Sequence, residues 1–134
     1  MTSSRFDHFG FGVPWEDAAN YAQAVRAGNL LFISGQLSHA PDGTFLHAGD
    51  FDGQAGATLE NLDRVLARFG AERSDIVEVN VFVVDIRAHF DAALARVKRY
   101  FGAHRPANNT IGVSGLAFPE QLIEIAATVV LPDA

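Results

Sequence analysis

Arg105-Pro106-Ala107-Asn108-Asn109-Thr110-Ile111-Gly112-Val113 and Leu122-Ile123-Glu124-Ile125-Ala126 decide how this chain is read. Both are extended apolar runs. The first is entered from a turn carrying paired asparagines, and the second holds one carboxylate between two isoleucines. A carboxylate in such a run either points at solvent from an edge strand or sits in a polar pocket with a use for it. Whether Asn108 and Glu124 share that pocket is the main question.

Working outward, these runs predict final strands near 110–116 and 122–131. Before them, Ile76-Val77-Glu78-Val79-Asn80-Val81-Phe82-Val83-Val84 alternates, with Val77, Val79, Val81 and Val83 expected on one side, under helices. A helix over about 52–69 carries Leu59, Leu62, Val65, Leu66 and Phe69 on one face, with Glu60 and Arg64 paired on the outer face. A second, over 87–101, has Phe90, Ala93, Leu94, Val97 and Phe101 on one stripe, and Gly102 stops it. Tyr21-Ala22-Gln23-Ala24-Val25-Arg26 and Leu30-Leu31-Phe32-Ile33-Ser34-Gly35-Gln36 flank a Gly-Asn turn and read as a hairpin. Ser34-Gly35 breaks its second strand, marking a bulge or a close approach by another group. Residues 1–19 read as an irregular lead-in. The order β-β-α-β-α-β-β suits an α+β layer, with two helices on one face of a mixed sheet and the other face left for self-association.

At 134 residues, 49% apolar and 19% charged, the chain suits one domain, 1–134. It has no cysteine, which removes disulfides and thiolate chemistry and fits a cytoplasmic setting. A net charge of −6 argues against nucleic acid as partner. No apolar run is long enough to span a membrane. His8, His39, His47, His89 and His104 stand at no metal-like spacing. Gly-rich phosphate loops and nucleophile elbows are absent from the sequence. What remains for chemistry is Tyr21, Ser34-Gly35, Asn108-Asn109-Thr110 and Glu124.

Five blocks in one order carry a resemblance: Asn20-Tyr21-Ala22-Gln23-Ala24-Val25, then Ala27-Gly28-Asn29-Leu30-Leu31-Phe32-Ile33-Ser34-Gly35-Gln36, then Thr58-Leu59-Glu60-Asn61-Leu62, then His104-Arg105-Pro106-Ala107, then Ile123-Glu124-Ile125. From about residue 20 to 130 the chain resembles the Rid (YjgF) family of reactive-intermediate deaminases. The resemblance implies a chorismate-mutase-like α+β fold, a homotrimer whose sheets form a central barrel, and small-molecule ligands in clefts between subunits. It implies no metal and no organic cofactor. It also implies hydrolysis of enamines and imines to a 2-keto acid and ammonia, with Tyr21, Ser34, Gly35 and Glu124 matching family site positions and the glutamate directing water.

The chain departs from the imine-deaminating branch at two places. Asn108 stands where that branch has an arginine that clamps the substrate carboxylate, and Leu94 stands where an asparagine is common. The expected function is hydrolysis of a reactive imine, enamine or related carbonyl metabolite other than a 2-imino acid. Glu124 and Tyr21 are the expected catalytic groups, and Ser34, Gly35, Asn108, Asn109 and Thr110 contact the ligand. A trimer that binds a metabolite without turnover is the alternative. An endoribonuclease, a label some relatives carry, is disfavoured by the acidic balance.

Overall fold

The computed structural model describes residues 5–132. The elements are β1 (Phe6–Phe9), α1 (Pro14–Ala19), β2 (Ala24–Ala27), β3 (Leu30–Gln36), α2 (Phe51–Arg68), a 3-10 turn (Arg73–Asp75), β4 (Ile76–Val84), α3 (Ile86–Phe101), β5 (Ala107–Val113) and β6 (Ile123–Val130). The strands form one mixed sheet, β1-β2-β3-β6-β4-β5, antiparallel except for the β4–β5 pair that α3 connects. α2 packs over β3 and β6, and α3 over β4 and β5. The α+β layering expected from the sequence is therefore present. The core lies between layers, where Leu31, Ile33, Val81, Ile123 and Ile125 meet Leu62 and Val65.

Five local expectations are corrected. The lead-in is not irregular: Phe6-Asp7-His8-Phe9 pairs with β2 by backbone register, and Pro14 begins α1, which ends at Asn20 in the left-handed region. Its first four residues lie outside the described residues. Val77 is 45% exposed because the β4–β6 register shifts between Ile76 and Glu78, so Ile76 takes the buried place and Val79, Val81 and Val83 continue it. On α3 the buried line is Ala93, Val97 and Tyr100, while Phe90 and Leu94 are each 42% exposed on its flank. Arg64 donates to Asn61 Oδ1 at 3.1 Å instead of pairing with Glu60. The final strands also start and end differently: β5 begins at Ala107, directly after Pro106, so the asparagines lie within a strand rather than in a turn.

α2 carries a buried polar line at Gln54, Thr58 and Asn61. Asn61 Nδ2 donates to Leu37 O at 2.8 Å and His39 O at 3.1 Å. Gln54 Nε2 donates to His47 O and Glu120 O, both at 3.1 Å, and its Oε1 accepts from the Leu122 N–H at 2.8 Å. These amides bond peptide groups that lie outside the strands of the sheet. Gln54→Leu keeps the volume and orphans three backbone groups, so it is expected to lower stability by roughly 3 kcal/mol. Urea unfolding at fixed protein concentration measures this.

Candidate functional site

The break in β3 has a steric cause. The β3–β6 register shifts between Ile33 and Gln36, and the Glu124 side chain lies over Gly35. A Cβ on residue 35 would sit 2.7 Å from Glu124 Cγ, with the carboxyl group closer still. Only glycine leaves room for this carboxylate. Burial pushes the Glu124 carboxyl above its ordinary value of 4.5, and a hydrogen bond from Gln121 pulls the other way. That bond, Gln121 Nε2 to Glu124 Oε1, is long at 3.4 Å.

Tyr21 stands at the same end of the sheet. Its phenol is raised above its ordinary value chiefly by burial, opposed by the side chains of Gln23 and Trp15, and raised further by the charges of Glu16 and Glu124. It is a protonated phenol at neutral pH, within electrostatic reach of Glu16 and, more weakly, of Glu124. Ser34 Oγ donates to Ala22 O at 2.7 Å, next to Tyr21. Behind them runs a chain of polar groups absent from the sequence reading. Glu16 accepts from the N–H groups of Phe11 at 2.8 Å and Gly12 at 3.1 Å and from Gln23 Nε2 at 2.9 Å, and Gln36 Nε2 donates to Gln23 Oε1 at 2.9 Å. Trp15 packs edge-on against His39 and Phe118, which ties α1 to the loops around the site. A polar residue between Ala22 and Ala24, directly ahead of β2, was the available signal for Gln23; Gln121 sits in a polar loop that offered none.

The asparagines divide. Asn108 pairs with Val79 and so lies on the helix-covered face, beside Leu94, Val97, Phe101, His104 and Arg105 in a groove of about 400 Å³. Thr110 Oγ1 donates to Asn108 Oδ1 at 2.8 Å, which leaves the Asn108 amide N–H groups available as donors. Asn109 faces the other way, its Nδ2 donating to Asn80 Oδ1 at 3.0 Å. Glu124 pairs with Phe82 on that opposite face. Asn108 and Glu124 are three residues apart along the strands and two strands across, roughly 14 Å by strand geometry, on opposite faces. Within one chain the structure groups Tyr21, Ser34, Gly35 and Glu124. It separately groups Asn108 with Thr110, and it sets Asn109 apart. A shared pocket for Asn108 and Glu124 does not exist inside a single chain.

The sequence profile described as Endoribonuclease L-PSP matches residues 14–131, nearly the whole chain. The chain belongs to this family, the YjgF or Rid proteins. It is 34% identical to the yeast protein MMF1, mitochondrial, over 74% of this chain and 67% of that one. It is 32% identical to the 2-iminobutanoate/2-iminopropanoate deaminase of Dermatophagoides farinae, over 83% of this chain and 85% of the mite protein. The crystal structure of Rv2704 from Mycobacterium tuberculosis, a YjgF/YER057c/UK114 family member, superposes with a TM-score of 0.83 at 25% identity, covering 94% of this chain and 99% of that one.

Two outcomes follow from the Rid site geometry. Gly35→Ala is expected to cost roughly 1–3 kcal/mol by overpacking, and in a Glu124→Ala background the cost falls to within about 0.5 kcal/mol, a coupling read by a double-mutant cycle in urea. The second concerns pH. Burial raises the folded pKa of Glu124 above its unfolded value, so the associated stability is complete below the unfolded pKa and is lost as pH rises through the raised folded pKa. Glu124→Gln stays neutral, so its stability relative to the parent should increase between about pH 4 and pH 7, as urea melts at the two values report.

Proposed function

We propose that this Rid protein is a small-molecule hydrolase, adding water to the C=N bond of a reactive imine, enamine or related carbonyl compound in a cleft between subunits of a homotrimer. The half-buried carboxyl of Glu124, seated over Gly35 beside a protonated Tyr21, carries this reading. The deaminase name of the mite relative supports the reaction class. Exposed Phe32, Ile111 and Val130 on the sheet face opposite the helices support self-association. The separation of Asn108 from Glu124 supports a cleft that draws on two chains. Cytoplasmic residence is part of the proposal, although the yeast relative is named mitochondrial. Among the described residues no helix is long and apolar enough to cross a membrane.

In the proposed sequence of steps the neutral Glu124 carboxyl delivers a proton to the enamine carbon, giving the protonated imine. The resulting carboxylate then takes a proton from water as the oxygen bonds to the imine carbon. The same carboxyl returns that proton to the nitrogen, the C–N bond breaks as the hydroxyl proton passes to the carboxylate, and ammonia leaves behind a carbonyl product with Glu124 neutral again. Tyr21 donates a hydrogen bond and closes the cleft, with Ser34 and Gly35 lining it. Asn108 and Thr110 of a neighbouring chain hold the ligand's other end through a neutral amide and a hydroxyl. Asn109 keeps its ligand role only where a subunit presents the opposite face of β5.

Asn108 sets the substrate. Without an arginine there, a substrate carboxylate lacks its bidentate countercharge. Ammonia release from 2-imino acids is expected to be weak in the parent and to rise by at least about tenfold in Asn108→Arg. Turnover by the parent equal to that of an arginine-bearing family member would overturn the assignment. Glu124→Gln separates enzyme from binder: an enzyme loses rate and keeps ligand affinity, whereas a binding protein has no rate to lose.

A further inference from the structure

Among the described residues, one side-chain amide, that of Gln121, bonds the Glu124 carboxyl. Gln121 is enclosed, 1% exposed, in the turn before β6. Its backbone N–H donates to Phe118 O at 3.0 Å, and its Oε1 accepts from the Phe118 N–H at 3.4 Å. Its Nε2 donates to Ile123 O at 3.2 Å and to Glu124 Oε1 at 3.4 Å. Both amide hydrogens and the carbonyl oxygen therefore have partners, and this fixes which end of the amide meets the glutamate. The backbone on either side is also held. Gln54 of α2 donates to Glu120 O and accepts from the Leu122 N–H, so residue 121 is suspended between two fastened neighbours. Glu124 Oε2 contrasts with Oε1: it lies nearest the vacant Cβ position of Gly35, and among the described residues no donor reaches it.

We propose that Gln121 is the positioning residue of Glu124, its clamped amide holding Oε1 so that Oε2, above Gly35, is the oxygen that meets the ligand and exchanges its proton. This rests on Glu124 being the acid/base group. The asymmetry is chemically useful. A carboxyl free to rotate presents either oxygen, whereas one tied at Oε1 delivers and recovers the proton from a single point, as the successive proton transfers above require. Gln121 offers only N–H groups to the carboxyl, so it favours the ionised form, and the contact tightens as negative charge builds during turnover.

The test is a ¹³C NMR titration of the Glu124 side-chain carboxyl, assigned by its loss in Glu124→Gln, in the parent and in Gln121→Leu and Gln121→Met. Both substitutions fill the space without a donor. The expected result is an upward move of the midpoint in both. In a parent that turns over an imine, the acid limb of the pH–rate profile moves with it and kcat falls by on the order of tenfold to a hundredfold. A role confined to packing would lower the urea midpoint and leave the titration where it was, and an unmoved titration in a folded variant overturns the proposal. Should both apolar variants fail to fold, Gln121→Asn, which draws the amide back from Oε1 by one methylene, carries the same readout. The titration needs no substrate, so a parent without turnover overturns the hydrolase reading while the positioning of Glu124 is still decided.

Discussion

A carboxylate lies over a residue that has no side chain, and the arrangement of the site follows from that contact. β6 is interior to the sheet, bonded to β3 on one side and β4 on the other. A glutamate near the start of such a strand would ordinarily collide with the cross-strand neighbour or be forced outward into water. Gly35 and the register shift around it open a space on the β3 side. The cost is partial desolvation of a charge, which appears as the raised pKa of Glu124. The strand is rigid because both its edges are paired, so the carboxyl is placed by the sheet and not by a mobile loop.

The second constraint is the polar line inside α2. An amphipathic helix over a sheet has little reason to turn amides inward, and Gln54 and Asn61 do so because Leu37 O, His39 O, Glu120 O and the Leu122 N–H face α2 and bond to them. Each amide replaces the missing partner of a buried peptide group. The effect reaches the site, since the 120–122 segment carries Gln121 and the 37–39 segment carries His39, against which Trp15 and Phe11 pack. The helix that completes the core therefore also holds the loops around Glu124.

What the sequence made legible followed periodicity strong enough to outweigh local accidents: the buried valines of β4, the apolar face of α2 and the hairpin around Gly28-Asn29. β1 escaped because Phe6-Asp7-His8-Phe9 is held by backbone pairing to β2, and its side chains show no clean alternation. Val77 escaped because one inserted residue reverses the parity of everything before it. The asparagines show the same effect at the site. Starting the strand at residue 110 makes Asn108 and Asn109 equivalent turn residues, whereas starting it at Ala107 sends them to opposite faces. Glu124 and Gly35 were visible as separate anomalies, but that each explains the other depends on the β3–β6 register, which no composition or period encodes. Gln121 was hidden because a glutamine in a Pro-Glu-Gln loop looks solvated until its burial is known.

In the proposed reaction, a neutral amide at position 108 bears on which half of the chemistry the cleft favours. An arginine near the ligand would stabilise the carboxylate form of Glu124 as well as a substrate carboxylate, since an opposite charge within several ångströms lowers an acid's pKa. With a neutral amide there, and with burial the largest influence on Glu124, the carboxyl holds its proton to higher pH than an exposed glutamate does. A carboxyl poised in this way is the better proton donor at the start of a cycle, which suits a substrate whose first need is protonation at carbon. Gln121 then works against burial once that proton has left, by stabilising the carboxylate that must activate water. Under the proposed mechanism, burial and the Gln121 amide thus act on successive steps, and the glutamate serves as acid and then as base without a cation beside it.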